Sequence, residues 1–257
     1  GYTKYLTGVS IKEVQTADIT PNGNHGIVYG ATQNSDYMTF DGEDDYIEIP
    51  NSESLNITGE ITISAWVKPE KVGEARIVRK STASESGQAY ALLLDPDNYV
   101  WFYIYDNTTT GHHDVKSTTA LETNKWYHVV GVFDGRYMKV YVNEILERTI
   151  DIGETTTIKS NDNPLTIGGT YRKFDGQIKD VRIYNRVLSE DEVKQLYLQR
   201  AHIKDSYVSQ KDVTVDSNGN IGINTTAPQA TLDVEGDFTI KNELNMSYNG
   251  SEVIIEY

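Results

Sequence analysis

The stretch DGEDDYIEIP, residues 41–50, decides the fold of this chain when it is considered together with FDGQIKDVRIYN, residues 174–185. In both stretches apolar and polar residues alternate in the way that is typical of strands with one buried face. The first stretch crowds four carboxylates into one turn, at Asp41, Glu43, Asp44 and Asp45. Carboxylates this close repel each other, so the turn either holds a cation or lies splayed in water. We expect the two stretches to meet in one antiparallel sandwich.

The composition indicates a folded, acidic protein. Hydrophobic residues make up 38% of the 257 residues and charged residues 24%, which leaves enough apolar material for a packed core. The formal net charge of −15 argues against nucleic acid or an anionic membrane surface as the partner, because both require a basic face. The absence of cysteine excludes disulfides and thiolate metal sites. No apolar run approaches the ~20 residues that a membrane helix needs, so we expect no membrane insertion.

Period-2 alternation recurs along most of the chain and predicts many short strands. They are separated by turn sequences such as DPDN (95–98) and FDGR (133–136). The predicted strands are residues 27–31, 36–41, 45–49, 60–68, 75–80, 88–94, 98–105, 126–134, 136–142, 145–150, 164–168 and 176–184. Short strands with regular turns favour an all-β antiparallel sandwich.

One short helix is predicted near the end of this region, over residues 190–199. Ser189 precedes it as the N-cap, and Glu192 occupies the position that completes a capping box. Leu188 and Val193 are placed to form a hydrophobic staple across the helix start. The apolar stripe that continues along the helix predicts that it packs against the sandwich.

The chain divides into three regions. Residues 1–23 are an N-terminal extension or contain a first strand, residues 24–200 form the sandwich, and residues 201–257 are a β-rich C-terminal segment. The last region has too few apolar residues for a core of its own, and an isolated strand pair is marginally stable in water. We therefore expect this segment to assemble with the sandwich or with another copy of the chain.

Residues 24–199 resemble the laminin-G-like jelly-roll domains of the concanavalin A-like lectin/glucanase superfamily. The resemblance is carried by these segments in this order: NHGIVYGA, MTFDGEDDYIEIPNSESLNITGEITISAWVKPE, NKWYHVVGVFDGRYMKVYVNEIL, PLTIGG and FDGQIKDVRIYNRVLSEDEVKQLY. It implies a jelly-roll β-sandwich with one packed helix. It also implies a domain that binds sugars or surfaces more often than it performs catalysis.

A second resemblance concerns the C-terminal region. Residues 212–236, DVTVDSNGNIGINTTAPQATLDVEG, are similar to a motif of phage tail fibres and spikes. Such segments often lie in intertwined homotrimers, so the resemblance implies a homo-oligomer, either a trimer or a filament. We therefore interpret residues 201–257 as a tail-fibre-like assembly segment.

A structural calcium ion is the first candidate ligand, because calcium takes six to eight oxygen ligands in flexible geometry. The candidate carboxylates are Asp41, Asp44, Asp45 and Asp180. The alternation breaks between Ile178 and Val181, which predicts a β-bulge that re-aims Asp180. The superfamily resemblance implies a calcium held by an Asp of the last long strand together with an early turn, here Asp180 with Asp41 or Asp45. The alternative is a solvated acidic turn, with Asp180 paired to Arg182 or Lys179.

The second candidate site is an aromatic strand at residues 99–105. Its aliphatic and phenylalanine side chains form one face, and its polar-tipped rings form the other face, at Tyr99, Trp101, Tyr103 and Tyr105. Such rings stack on sugar rings and hydrogen-bond their hydroxyls, so this face is a candidate glycan-binding surface. Trp66 is a candidate to extend it. The alternative is that the rings cover the sheet beneath the helix or the C-terminal segment.

Two further motifs have weaker functional interpretations. Glu43 to Glu48 matches the spacing E-x-D-x-x-E, which retaining glucanases of the superfamily place on one strand as nucleophile and acid. Here the first half lies in a turn, and the same string is ordinary in non-catalytic laminin-G-like domains, so we do not expect an enzyme. His112 and His113 precede Asp114, but neighbours on a strand point to opposite faces, which disfavours a metal site.

The expected setting is extracellular, on a cell surface or on a virion. Tyrosine is abundant, with 18 residues, and the chain contains sequons that are candidate glycosylation sites in an exported glycoprotein. These are Asn56, Asn107, Asn224, Asn245 and Asn249.

The sequence favours a non-catalytic adhesion or carbohydrate-binding module on an oligomeric fibre or filament. Its expected partners are glycans or cell-surface polysaccharide and further copies of the chain. One alternative is a structural subunit of a filament, capsid or surface layer that assembles by β-strand addition. The other is a glycoside hydrolase that uses Glu43 and Glu48.

Overall fold

In the computed structural model, the described residues are 15–16, 18, 20–81, 88–106, 111–153, 155–201, 213–215, 221–223 and 232–234. They belong to two compact units, Gly1–Gln199 and Arg200–Tyr257. The first unit is a β-sandwich with one α-helix, and the second contains a small three-stranded sheet. Within the described part of the chain, no helix has the length and apolar character that a membrane span requires.

The strands of the first unit are short and follow one another closely. The first eight are β1 (Gln15–Thr16), β2 (Gly26–Tyr29), β3 (Thr32–Gln33), β4 (Met38–Asp41), β5 (Tyr46–Ile49), β6 (Ile61–Pro69), β7 (Ala75–Lys80) and β8 (Tyr90–Leu94). The next seven are β9 (Tyr99–Ile104), β10 (His113–Ala120), β11 (Tyr127–Phe133), β12 (Tyr137–Val142), β13 (Ile145–Asp151), β14 (Leu165–Ile167) and β15 (Asp175–Tyr184). A single 3₁₀ turn at Glu53–Leu55 links β5 to β6.

These strands form two antiparallel sheets, which confirms the predicted all-β jelly-roll sandwich. The eight-stranded sheet has the order β1-β2-β5-β14-β7-β8-β9-β10, and the seven-stranded sheet has the order β13-β12-β11-β6-β15-β4-β3. Strand β15 pairs with β4, and their register sets Asp175 opposite Asp41. The two stretches that carried the fold prediction therefore do lie side by side.

The core lies between the inner faces of the two sheets. Phe102 of β9 and Phe133 of β11 are completely buried within it, as are Ile63 of β6 and Leu92 of β8. Each such side chain contributes roughly 1.5–3 kcal/mol through burial. Because the side-chain period of a strand is two residues, a slip of one residue would turn the buried side chains of that strand to the outer face. Burial of these side chains therefore fixes the register of the strand pairs.

The helix α1 (Glu190–Ala201) begins where it was predicted. The Ser189 amide donates to Glu192 Oε2 at 2.9 Å, and the Glu192 amide donates to Ser189 Oγ at 3.2 Å, so the capping box is formed. Leu188 and Val193 are buried in one cluster with Val130 of β11, on the outer face of the seven-stranded sheet. The helix therefore packs against the sandwich, as its apolar stripe predicts.

The described residues of the second unit form three short strands, β16 (Val213–Val215), β17 (Ile221–Ile223) and β18 (Leu232–Val234). Strand β17 pairs antiparallel with β16 and parallel with β18. The register aligns Val213, Ile223 and Val234 in one row across this sheet.

Three of the described strands of the first unit were not predicted individually from the sequence. Strands β1 and β3 have two residues each, which is too short for an alternation to be recognised. Strand β10 is longer, but its sequence HDVKSTTA is almost entirely polar, and only Val115 and Ser117 are buried. Strand β10 was missed because a strand at the edge of a sheet needs few apolar residues.

Candidate functional site

The outer face of the eight-stranded sheet carries the aromatic side chains of β9. Val100, Phe102 and Ile104 point into the core, and the residues between them point outward, as the alternation predicts. Trp101 and Tyr103 lie in a separate cluster with Ala91 and Leu93 of the neighbouring strand β8. Two strands thus build one aromatic and aliphatic cluster on this side of the sheet, in which Ala91, Leu93 and Tyr103 are buried and Trp101 is half-exposed.

Four rings of this surface contact one another in a ladder. Trp101 and Tyr103 have ring centroids 5.9 Å apart, and Tyr103 and Tyr105 have centroids 5.5 Å apart. His112, which directly precedes β10, closes the ladder with its ring 5.1 Å from that of Tyr105. We call Trp101, Tyr103, Tyr105 and His112 the ring face. Its rings meet mostly edge to face, which is the favourable arrangement for aromatic quadrupoles.

Polar groups border the ring face. Trp101 Nε1 donates to Asp114 Oδ2 at 2.9 Å, which fixes the indole plane. Lys116 Nζ lies 4.3 Å from the centroid of the Trp101 ring and 3.1 Å from Asp95 Oδ2. A sugar that stacks on Trp101 would have to displace this ammonium group, which has enough exposure to swing away into water.

The four predicted tyrosine and tryptophan contacts of this strand do not have equal access to a ligand. Trp101 and Tyr105 are half-exposed, and Tyr99 is half-exposed at the start of β9 opposite Ala120. Tyr103 is only 3% exposed, and its hydroxyl donates to Gln88 Oε1 at 2.5 Å. Burial raises the pKa of the Tyr103 phenol, so it stays neutral. The prediction that Tyr103 contacts a ligand is corrected: it supports its neighbouring rings from below.

The structure does not bring Trp66 to the ring face. Trp66 lies on β6 in the seven-stranded sheet, where it is 6% exposed. Its indole stacks on Tyr197 of α1, with centroids 5.6 Å apart and planes 12° apart. The prediction that Trp66 extends the aromatic surface was wrong, because spacing within a strand does not reveal which sheet the strand joins. Its ring covers the sheet beneath the helix, which was the stated alternative.

Sequence reasoning also missed two arginines beside the ring face. Arg76 and Arg79 of β7 lie opposite Leu93 and Ala91, so both belong to the outer face of the sheet. A signal was present in the sequence RIVRK, where two charged residues flank two aliphatic ones. That pattern breaks strict alternation, in the same way as the step that predicted a bulge in β15.

The acidic turn connects β4 to β5, and its own carboxylates organise it. Asp41 Oδ1 accepts the amides of Glu43 and Asp44 at 2.8 and 3.2 Å, while Asp45 Oδ2 accepts the amide of Asp41 at 3.0 Å. Hydrogen bonds from backbone amides, above all that of Glu43, lower the pKa of Asp41. Burial raises the pKa of Asp45, with a further contribution from its neighbours Asp41 and Asp44. Gly30, in the left-handed region with φ of 71°, lets Asp45 pack closely against the backbone.

Three carboxylates of this turn are arranged closely enough to share one ion. One oxygen each of Asp41, Asp44 and Asp45 lies within 4.8 Å of the others. Two ligands of one calcium ion are at most about 5 Å apart, because each Ca–O distance is about 2.3–2.6 Å. Lysines also approach the turn: Lys173 Nζ donates to the Glu43 carbonyl, and Lys71 pairs with Asp175 at 2.5 Å. The donor set fits calcium in type and spacing.

Asp180 does not join the acidic turn. The predicted bulge is confirmed, since the register of β15 with β6 shifts between Lys179 and Arg182 and Asp180 has a φ of 50°. However, the residue of β15 that lies opposite Asp41 is Asp175. Asp180 lies further along the strand, where it accepts two hydrogen bonds of 3.0 Å from Arg182. We therefore leave Asp180 out of the calcium ligand set.

The glutamates of the glucanase-like spacing lie on different elements. Glu43 is exposed in the acidic turn, whereas Glu48 lies on β5, opposite Ile27 and Thr166. The arrangement that retaining glucanases use, with both carboxylates on one strand, is therefore not formed. At the start of β10, His113 Nε2 lies 2.9 Å from Asp106 Oδ2, and His112 belongs to the ring face.

Only one of the five sequon asparagines lies among the described residues. Asn56 follows the 3₁₀ turn and is half-buried, and its Oδ1 atom is inaccessible. The other four lie outside the described residues: Asn107, Asn224, Asn245 and Asn249.

Solved structures with the same fold include sugar-binding and hydrolytic proteins. The botulinum neurotoxin serotype D ligand binding domain in complex with N-acetylneuraminic acid is 19% identical, with a TM-score of 0.55 over 69% of this chain and 47% of that chain. Domain 4 of the Geobacillus stearothermophilus extracellular arabinanase AbnA in complex with arabinotriose is 18% identical, with a TM-score of 0.51 over 67% of this chain and 81% of that chain. A Trypanosoma rangeli sialidase is 20% identical, with a TM-score of 0.52 over 70% of this chain and 30% of that chain.

At these identities the similarity shows the fold alone, and this chain spans about half the length of the toxin domain. A comparison with curated protein sequences gives no significant match. The family comparison matches residues 41–194, more than half of the chain, to the concanavalin A-like lectin/glucanases superfamily. Together with the two antiparallel sheets, this match assigns the chain: it belongs to the concanavalin A-like lectin/glucanases superfamily.

Proposed function

We propose that the sandwich is a non-catalytic carbohydrate-binding module whose ligand lies on the ring face. The observation that carries this proposal is the contact ladder of half-exposed Trp101, Tyr105 and His112 supported by buried Tyr103. Aromatic side chains offer flat apolar surface with polar edges, which matches the alternating C–H and hydroxyl faces of a sugar. The similar folds solved with N-acetylneuraminic acid and with arabinotriose support a glycan as the ligand class.

Replacement of Trp101 by alanine is expected to weaken glycan binding by at least about tenfold, because a central aromatic contact typically dominates binding energy. The measurement is affinity gel retardation or a glycan array, with thermal melting to show that the fold is intact. The matched control is Tyr137→Ala, since Tyr137 is 38% exposed on β12 of the other sheet. Equal binding by the Trp101→Ala variant and the wild-type protein would remove the ring face as the site.

The non-catalytic part of the proposal rests on the positions of Glu43 and Glu48. They occupy a turn and a strand rather than one strand, which differs from the single-strand arrangement of the superfamily's retaining glucanases. Release of reducing sugars that is abolished by Glu48→Gln would overturn this part and revive the glycoside hydrolase alternative.

We further propose that the chain works extracellularly or on a virion, as part of a homo-oligomeric fibre or filament. The small sheet of β16, β17 and β18 supports an assembly role, because a sheet made of the three described strands, of three residues each, is only marginally stable on its own in water. Light scattering of the whole chain distinguishes the outcomes. Discrete trimers favour a fibre, open-ended polymers favour the structural-subunit alternative, and a monomer contradicts both.

The acidic turn is proposed to hold a structural calcium ion through Asp41, Asp44 and Asp45. The ion would screen the mutual repulsion of these carboxylates. It would link the end of β4 to the start of β5, next to the contact between Asp41 and Asp175. The ion thus has a structural role at the sandwich edge, without a direct part in sugar binding.

Removal of calcium is expected to lower the melting temperature. At free calcium tenfold above Kd, binding contributes about 1.4 kcal/mol, or about 3–5 °C for a domain of this size. Scanning calorimetry with calcium and with a chelator measures the shift. Asp44→Asn removes one of the three carboxylates and is expected to abolish this shift in melting temperature. The substitution leaves the hydrogen bonds of the turn in place, because Asp41 and Asp45 accept them. Asp180→Asn is the control that retains the shift. Identical melting with and without chelator would contradict the proposal.

A further inference from the structure

A β-bulge in β7 brings two arginines to the outer face of the eight-stranded sheet. Residues three apart on a regular strand point to opposite faces, so Arg76 and Arg79 would normally be separated. The register of β7 with β8 shifts between Arg76 and Val78. As a result, Ile77 and Val78 are both completely buried in the core. The bulge therefore aims both guanidinium groups at the side of the sheet that carries the ring face.

Register places these arginines in the same rows as the aromatic residues. Arg79 lies in one row with Ala91 of β8 and Tyr103 of β9. Arg76 lies in the next row with Leu93 and Trp101. Adjacent strands are about 4.8 Å apart, so each arginine backbone is about 10 Å from the aromatic residue of its row. Each guanidinium group therefore lies on the same side of the sheet as an aromatic ring, two strands away.

The charge on Arg79 lacks a carboxylate partner among the described residues. Arg79 is 3% exposed, its Nε has no acceptor, and its contact is with the neutral Tyr103 phenol. Arg76 is 4% exposed and also has a buried Nε without an acceptor, while its Nη1 shares Glu74 with Arg172. Buried charges are normally paired, because an isolated ion loses its hydration without compensation.

We propose that Arg76 and Arg79 form an anion-binding pair, and that the glycan bound at the ring face carries a carboxylate or a sulfate group. This inference rests on the proposed carbohydrate-binding function and specifies its ligand class. A guanidinium group matches these anions with two parallel N–H donors. Because both arginines are shielded from water, the anion reaches them when a bordering side chain moves aside. Ala91 and Leu93, which separate each arginine from the aromatic residue of its row, are completely buried, so the sugar ring itself lies on the half-exposed rings of Trp101 and Tyr105.

The test is a glycan array with matched neutral, uronic acid, sialylated and sulfated oligosaccharides, probed with the whole chain. Binding to acidic glycans is expected to be about tenfold stronger than to their neutral counterparts. Arg79→Met is expected to reduce this ratio to near one and to leave weak binding to neutral glycans. The control is Arg136→Met, which removes an exposed arginine that pairs with Asp151 on the other sheet.

Competition experiments on the wild-type chain keep the inference testable if Arg79→Met fails to fold. Free galacturonate is expected to displace a bound glycan at about one tenth of the concentration that galactose requires. Equal competition, or binding confined to neutral glycans, would overturn the anion-binding pair while the carbohydrate-binding function stands. Binding to no glycan at all would remove the proposed function, and the inference with it.

Discussion

Replacement of Gly131 by valine is expected to lower the free energy of unfolding by about 3 kcal/mol or more, and alanine by about 1–3 kcal/mol. Gly131 lies on β11 and faces the interior, where a Cβ atom would overlap the ring of Phe102 from the opposite sheet. Phe102 is completely buried, so its ring has no free space into which it can rotate. Close packing in the core therefore converts a single added methyl group into strain on both sheets.

Equilibrium unfolding in urea measures this effect, and two further variants show its origin. Combining Gly131→Ala with Phe102→Leu is expected to cost less than the sum of the single changes, since a smaller partner leaves room for the methyl group. Gly59→Ala is the control, because a Cβ atom there meets nothing within 4 Å. If Gly131→Ala and Gly59→Ala unfold at the same urea concentration, overlap with the Phe102 ring does not lower the free energy of unfolding.

Local patterns predicted most of the fold. The long strands β6 and β11 could be assigned because apolar residues recur at every second position, which only a pleated strand can bury on one face. The helix start could be assigned because Ser189 and Glu192 satisfy each other's amides at a fixed spacing. By contrast, β10 escaped prediction because its backbone is held by β9 while most of its side chains face water.

The candidate site was less predictable, since it depends on contacts between distant parts of the chain. Alternation correctly placed Trp101 and Tyr103 on one face of β9, but it did not reveal that Tyr103 is buried beneath its neighbours. Nor did it reveal that β6 joins the other sheet, which removed Trp66 from the surface. The bulge at Asp180 and its alternative pairing with Arg182 were both predicted, but only the register of the strands shows that Asp175, and not Asp180, lies opposite Asp41.

The network beneath the helix makes the sandwich sensitive to acid through His128 of β11. This residue is 1% exposed, and its Nε2 lies 2.8 Å from Ser64 Oγ. Its ring centroid is 5.4 Å from that of Trp66, and Tyr197 of α1 covers the pair. Burial lowers the pKa of His128 to about 4, although the negative charge of Asp180 acts in the opposite direction. The folded protein therefore keeps this imidazole neutral in mild acid.

The unfolded chain protonates the same residue near pH 6.5, so between about pH 6.5 and 4 the unfolded state binds more protons. Stability is therefore expected to fall as the pH is lowered through this window, by roughly 2–3 kcal/mol from pH 7 to pH 4.5. Carboxylates with ordinary unfolded values near 4 contribute mainly below this range. Urea unfolding at the two pH values measures the loss, and His128→Gln is expected to remove most of it.

A control substitution at a second histidine distinguishes protonation of His128 from a general effect of acid on the fold. His112→Gln removes a half-exposed imidazole at the ring face and is expected to retain the wild-type difference between pH 7 and pH 4.5. Tryptophan fluorescence adds a second readout, because Trp66, one of the three tryptophans of the chain, contacts both His128 and Tyr197. If His128→Gln loses as much stability in acid as the wild-type chain, proton uptake on this imidazole does not drive unfolding. The packing of α1 over Trp66 would then be independent of pH in this range.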